Sequence, residues 1–155
     1  MSIYVRKEDI KRREMRTLSK VPLITEVVYG TNASLIVGYR PPGYHSKPHK
    51  HDCEQLNYVL SGELWLFIEE ESYKLKAGDY LRVPPNKVHW SWNKGTETSV
   101  LVEVHSPGLQ DDWKDIAVPL FYEGEITQKT ALPHNIMVDV NQNFIDRVEK
   151  PAREA

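Results

Sequence analysis

The segments GYHSKPHKHDCEQLNYVLSG (Gly43–Gly62) and GDYLRVPPNKVHWSWN (Gly78–Asn93) decide how this chain reads. They follow the patterns G-x5-H-x-H-x3-Q-x6-G and G-x5-P-x-N-x2-H-x3-N, with 15 residues between Gly62 and Gly78. Pro41, Pro42, Gly43 and Tyr44 are turn residues that open an extended segment. His49 and His51 are one residue apart, and alternate side chains of a strand share a face, so both imidazoles point the same way. Two neutral imidazoles on one face make half of a first-row metal site. Gln55 follows, ahead of an apolar strand closed by Ser61-Gly62. The second segment rises through Leu81 and Val83, breaks at Pro84-Pro85-Asn86 and delivers His89. His49, His51, Gln55 and His89 are therefore the expected ligands of one divalent transition metal, and an imidazole-rich site suits Zn, Ni or Fe.

Short strands surround this core. Leu23–Tyr29, Ser34–Arg40, Leu56–Leu60, Glu63–Ile68, Tyr73–Lys76, Tyr80–Val83, Val88–Trp92 and Thr98–His105 are separated by turn residues. Regular short strands of this kind predict an all-β sandwich or barrel. After Pro107 the pattern dissolves. Asp111–Ile116 is expected to form a helical turn, and Trp113, Phe121, Tyr122 and Phe144 need burial, so residues 108–155 are read as an extension packed on the barrel or on a second subunit.

The paired segments resemble the two motifs of the cupin superfamily, small double-stranded β-helix (jelly-roll) barrels. That resemblance implies a single barrel over residues 21–107 and leaves both termini unexplained. Asn86 stands where the family has glycine, and asparagine also tolerates positive φ. Gln55 stands where the family has glutamate, which changes the chemistry. A neutral amide oxygen leaves the metal charge uncompensated by protein, favouring Lewis-acid chemistry over an oxidised iron state. Glu54 would supply a carboxylate only after a register slip that turns it to the other face.

The His-x-His pair, Gln55 and the Gly62 turn are similar to those of the pectin-degradation cupins, which linearise unsaturated uronates on a divalent metal. Polyketide-cyclase cupins offer a second likeness, with His105 as their additional histidine. In many single-domain cupins the stretch before a Ser-Pro turn, here Glu103–Pro107, contributes an inward carboxylate. The resemblance thus makes Glu103 a general acid or base, with a pKa raised by apolar surroundings, and His105 a second proton carrier or a further ligand. The arginine that the pectin-degradation group places after that turn is absent, since the chain reads Gly108-Leu109-Gln110.

Strand parity extends the site. Lys47 and His45 share the face of His49 if the strand stays extended, which makes Lys47 an anchor for an anionic substrate. Asn57 shares the face of Gln55 and lines the pocket. If His89 points inward, Ser91 and Asn93 follow, and Trp90 and Trp92 face the outer surface as outer core or subunit interface. Val100, Val102 and Val104 form one face of the last strand and Leu101, Glu103 and His105 the other. Cys53, the one cysteine, is read as a small wall residue, and it excludes an internal disulfide.

Composition bounds the remaining possibilities. A chain of 155 residues with 40% hydrophobic and 27% charged residues is an ordinary globular domain. The longest apolar run, Leu64–Ile68, is far too short to span a bilayer. Met1–Met15 is charged throughout with no apolar signal core, so a cytoplasmic protein is expected. Residues 1–20 hold seven Lys or Arg against three acids, a basic arm without the interleaved aromatics of a nucleic-acid contact. The expected partner set is thus a small-molecule substrate and a second copy of the chain, with no nucleic acid and no membrane. Function is expected to be non-redox metal chemistry, as an isomerase, lyase or cyclase acting on a hydroxy or carbonyl substrate such as a sugar acid or a polyketide. An iron-dependent dioxygenase and a non-enzymatic metabolite-binding protein are the alternatives.

Overall fold

Period-2 burial dominates the molecule. The computed structural model describes residues 4–10, 12–15, 17–30, 32–108 and 135–155. Their strands are β1 (Arg13–Met15), β2 (Leu23–Tyr29), β3 (Ser34–Arg40), β4 (His49–His51), β5 (Glu54–Ser61), β6 (Glu63–Ile68), β7 (Glu71–Lys76), β8 (Tyr80–Val83), β9 (His89–Trp92), β10 (Ser99–Ser106) and β11 (Asn135–Met137). Two short helices follow, α1 (Gln142–Val148) and α2 (Lys150–Glu154). A six-stranded sheet has the order β1-β2-β3-β10-β5-β8, and a five-stranded sheet the order β11-β4-β9-β6-β7. Every pairing is antiparallel, and the crossovers that bring β10 between β3 and β5, and β9 between β4 and β6, give the jelly-roll arrangement.

Alternation decides what the barrel contains. On β3 the inward residues are Ser34, Ile36, Gly38 and Arg40; on β10 they are Ser99, Leu101, Glu103 and His105; on β5 they are Gln55, Asn57 and Val59. One end of the interior is apolar, built from Val59, Leu64, Leu66, Leu75, Val83 and Leu101. The other end is polar. The valines of β10 face outward, which settles the parity question for that strand in favour of its polar face.

The outer surfaces of the two sheets differ. On the five-stranded sheet, Phe67 and Trp90 are covered by Val148 and Ala152 of the C-terminal helices, with Phe144, Trp65 and Trp92 at the margin. The fully buried Glu149 carboxylate holds this cover. It accepts hydrogen bonds from Trp90 Nε1 (2.9 Å) and Arg153 Nη2 (2.7 Å), and lies 2.7 Å from His45 Nε2. Trp90 is therefore outer core, as parity predicts, and it is the chain's own C-terminal helices that cover it, while Trp65 and Trp92 stay partly buried at the margin. The six-stranded sheet instead leaves Leu35, Leu56, Leu60 and Tyr80 exposed.

Three local readings change. Residues 13–15 of the basic stretch pair with β2 as an edge strand, so the stretch is more than a solvated arm. His45 does not share the face of His49, because the chain is not a regular strand at residues 46–48 and the parity resets; His45 stacks on Trp92 at 4.7 Å, on the helix-covered side. Residues 142–154 are helical and 135–137 form a strand beside β4, where the sequence suggested a less regular tail. The expected turn at Asp111–Ile116, and Trp113, Phe121 and Tyr122, lie outside the described residues.

Two turn positions explain residues of the paired motifs. Asn86 has φ +63°, the left-handed conformation that asparagine tolerates in place of glycine. Gly62 has φ +74°, and a Cβ there would lie 2.8 Å from the Ser99 Cα. Gly62→Ala should therefore lower the unfolding free energy by roughly 1–3 kcal/mol, combining backbone strain with a backbone clash. Urea denaturation measures it; an unchanged midpoint would contradict this reading of the turn.

Candidate metal centre

Opposite sheets meet at the polar end of the barrel. The five-stranded sheet contributes His49 and His51 from β4, and His89 from β9, which pairs directly with His49. The six-stranded sheet contributes Gln55 from β5, and Glu103 and His105 from β10, with His105 opposite Gln55 and Glu103 opposite Asn57. All six site side chains are buried. Ring centroids are 4.3 Å apart for His49 and His89, 4.8 Å for His51 and His89, and 5.3 Å for His51 and His105. The four predicted ligands are thus brought together.

Backbone carbonyls fix the tautomers. His49 Nδ1 donates to Lys47 O (2.9 Å), His51 Nδ1 to Cys53 O (2.8 Å) and His89 Nδ1 to Lys87 O (2.9 Å). A carbonyl oxygen only accepts, so each Nδ1 carries a proton, and a ring that is neutral keeps its lone pair on Nε2. Burial pushes His49 down to about 4 and His89 well below its ordinary value, so both rings are neutral at pH 7. His89 Nε2 is buried with no hydrogen-bond partner.

The decisive contact lies between His51 and Gln55. His51 Nε2 is 3.0 Å from Gln55 Oε1. In the neutral ring protonated at Nδ1, two lone pairs face each other here, an arrangement that a cation between or beside them relieves. The amide orientation is set from behind, since Gln55 Nε2 donates to Asn57 Oδ1 (2.7 Å) and Glu103 Oε2 (3.3 Å). An orphaned imidazole nitrogen, neutral histidines and an amide oxygen aimed at a lone pair are donor chemistry that fits a divalent transition metal. The side chains are not drawn in around one point: among the described residues, no group of three or more His, Cys, Asp or Glu has the geometry of a formed metal site.

Other predicted residues fall as follows. Glu103 is inward, but its pKa is lowered where apolar surroundings were expected to raise it. Burial would push the carboxyl up, and the buried Arg40 guanidinium, with its charge and its hydrogen bond to Oε1, outweighs that. His105 is inward too, pushed down to about 4 by burial, with Nδ1 lacking a partner. Asn57 points inward on the same side as Gln55, and its amide is engaged by Gln55 and by the Leu81 carbonyl, so it supports Gln55 and is not free for substrate. Lys47 is half-buried, and its carbonyl orients His49. Cys53 lies behind the His51 ring, 3.3 Å from Nδ1, and burial with the Asp52 charge pushes its thiol up to about 11, as a wall residue requires. Glu54 faces outward and pairs with Arg82, so no register slip brings it in.

Arg40 escaped the sequence reading. A charged residue before Pro41-Pro42 reads as the solvated end of a strand. Its inward parity with Ser34, Ile36 and Gly38 was the available signal.

The buried neutral histidines carry a pH signature. Folded His49 and His105 titrate near 4 against an ordinary 6.5, so below 6.5 the unfolded chain binds more protons. Stability of metal-stripped protein should be complete above about pH 6.5 and fall as pH drops toward 4. Urea midpoints at pH 7 and pH 5 test this, and equal midpoints would contradict the burial of neutral imidazoles.

Known proteins agree with this fold. A cupin-domain family profile matches residues 36–105. Auxin-binding protein T85 of Nicotiana tabacum is 27% identical over 112 residues, 58% of this chain and 60% of the relative, so the chain spans less than two thirds of that protein's length. The pectin degradation protein KdgF of Dickeya dadantii is 30% identical over 86 residues, 55% of this chain and 77% of the relative. The polyketide cyclase RemF of Streptomyces resistomycificus superposes with a TM-score of 0.61 at 17% identity, covering 98% of this chain and 94% of that one, a likeness of fold. Sheet order, paired motifs and these matches together place the chain in the cupin family.

Proposed function

We propose that this cupin is a divalent-metal-dependent enzyme of non-redox chemistry, an isomerase, lyase or cyclase acting on a small hydroxy or carbonyl substrate. His49, His51, His89 and the Gln55 oxygen would hold the metal, which would supply Lewis-acid polarisation of a substrate oxygen. The observation that carries the reading is the neutral donor set. Three imidazoles, of which burial keeps His49 and His89 neutral, and an uncharged amide face the site, and the nearby Glu103 carboxylate is already compensated by Arg40. Such a site favours an anionic or strongly polarised oxygen ligand and offers little to an oxidised iron state, so the dioxygenase alternative is disfavoured.

Proton movement falls to His105. It is buried beside His51 with Nδ1 unpartnered, which leaves a ring nitrogen open to exchange a proton with substrate. Glu103 is held ionised by Arg40 with both oxygens engaged, so it orients other groups and is not the acid. Lys47, beside His49, is the proposed anchor for an anionic substrate. The relationship to KdgF supports a sugar acid as the first substrate class to screen. The arginine expected after Pro107 is missing, and Arg40, tied to Glu103, does not replace it as a free substrate contact. A ligand-binding role without turnover is the second reading, favoured by the similarity to auxin-binding protein T85.

Elemental analysis of the His49→Ala/His89→Ala double variant should find metal lost, and a double variant that keeps stoichiometric metal sinks the centre. His105→Gln should keep the metal while losing roughly a hundredfold or more in kcat on unsaturated uronates under anaerobic conditions. Ligand binding by wild type with no product after prolonged incubation would favour the second reading.

The exposed apolar face of the six-stranded sheet is the proposed site of a homodimer, in place of the tryptophan face. Leu56 and Leu60 stand nearly half-exposed or more beside Tyr80, at 47%, 55% and 77%. Light scattering should give twice the chain mass, and Leu56→Lys/Leu60→Lys should shift it to monomer; a monomeric wild type would contradict the assignment.

A further inference from the structure

The interior of the barrel contains a chain of buried contacts that ends on the amide of Gln55. Arg40, on β3, donates from Nη2 to Glu103 Oε1 on β10. Its ring neighbour is Tyr44, 1% exposed, with the guanidinium carbon 5.5 Å from the ring centroid. The pair lies across Gly38, where a Cβ would sit 2.8 Å from Arg40 Nη1 and 3.1 Å from Glu103 Oε1. Glycine at this inward position is what leaves room for the ion pair to cross from one strand to the next. Glu103 then uses its second oxygen, Oε2, to accept from Gln55 Nε2 at 3.3 Å, while Asn57 Oδ1 accepts from the same nitrogen at 2.7 Å.

These contacts use both hydrogens of the Gln55 amide. An amide is nearly symmetric in shape, and only its hydrogen bonds decide which end is oxygen. With two acceptors on one side, the nitrogen must face them and the oxygen must face His51 Nε2, 3.0 Å away. We propose that Arg40, Glu103 and Asn57 are positioning residues that lock the Gln55 amide with its oxygen toward the three histidines. Arg40 holds the Glu103 carboxyl group in place across Gly38, and Glu103 with Asn57 keeps Gln55 from flipping. This rests on the metal-centre reading, and it gives Glu103 a purpose other than proton transfer. It also explains how glutamine serves where the family has glutamate. A carboxylate presents an oxygen in either orientation, whereas an amide must be told which way to face.

Three variants test the lock. In Glu103→Gln the new amide can offer hydrogens where the carboxylate offered a lone pair, so Gln55 is free to turn its nitrogen toward His51. Asn57→Leu removes the second acceptor without disturbing the ion pair. Arg40→Lys retains the positive charge beside Glu103. Cobalt(II) titrations should show wild-type visible bands and affinity in Arg40→Lys to within about threefold. Glu103→Gln and Asn57→Leu should each lose roughly ten- to hundredfold in cobalt affinity, with altered bands. In metal-free protein, the Gln55 side-chain NH2 resonances should exchange slowly in wild type and faster in Glu103→Gln. If Glu103→Gln fails to fold, Asn57→Leu carries both measurements. Wild-type affinity and bands in Glu103→Gln and Asn57→Leu, with only thermal stability lowered, would overturn the lock and leave the metal centre standing. A wild type that binds no cobalt would instead overturn the centre, and rapid exchange of its Gln55 amide would overturn the lock independently.

Discussion

A closed barrel interior tolerates polar side chains only when each has a partner, because an unsatisfied buried polar group costs about 1–3 kcal/mol. That constraint organises the polar end of this protein. Arg40 is met by Glu103 and the Tyr44 ring, Gln55 by Glu103 and Asn57, and three histidine Nδ1 groups by backbone carbonyls. Five buried side-chain atoms among the described residues lack a partner: Thr25 Oγ1, Arg40 Nε, Ser99 Oγ, His89 Nε2 and His105 Nδ1. The last two are imidazole nitrogens at the polar end, beside the contact of His51 with Gln55, and it is there that unmet nitrogen lone pairs mark a place for a ligand.

The division of the interior follows from the same strands. Each inward position on β5 and β10 runs from polar to apolar along the barrel axis: Gln55, Asn57, then Val59; His105, Glu103, then Leu101. The apolar end supplies the packed core, and the polar end can then keep its side chains in fixed rotamers. On the outside, the C-terminal helices close the tryptophan face through the Glu149 carboxylate, four residues before His49 at His45 and one residue after His89 at Trp90. The strands that carry the histidines are thus braced from behind.

Much of the site was legible because strand parity is strict. The spacing of His49, His51 and His89 placed them together without a structure, and the turn residues Gly62 and Asn86 marked where the strands end. Parity failed where the chain stops being a regular strand, as between His45 and His49. It also could not tell which face of β10 is inside, since three valines on one side argue for burial as strongly as a pocket argues for Leu101, Glu103 and His105. Most of all, it could not see partners from other strands. Its own strand makes Glu103 read as an acid or base with a raised pKa, whereas Arg40, 63 residues away in sequence, lies against it and lowers that pKa. Single-residue spacing carries faces and turns; long-range charge pairing is set by topology.

The proposed centre makes a specific demand on the metal's surroundings. X-ray absorption at the K-edge of the metal carried by protein from its own cells should give a shell of nitrogen and oxygen scatterers, with multiple scattering from three imidazoles and no sulfur. Fewer imidazoles, or a sulfur neighbour that would bring in Cys53, would contradict coordination by His49, His51, His89 and the oxygen of Gln55.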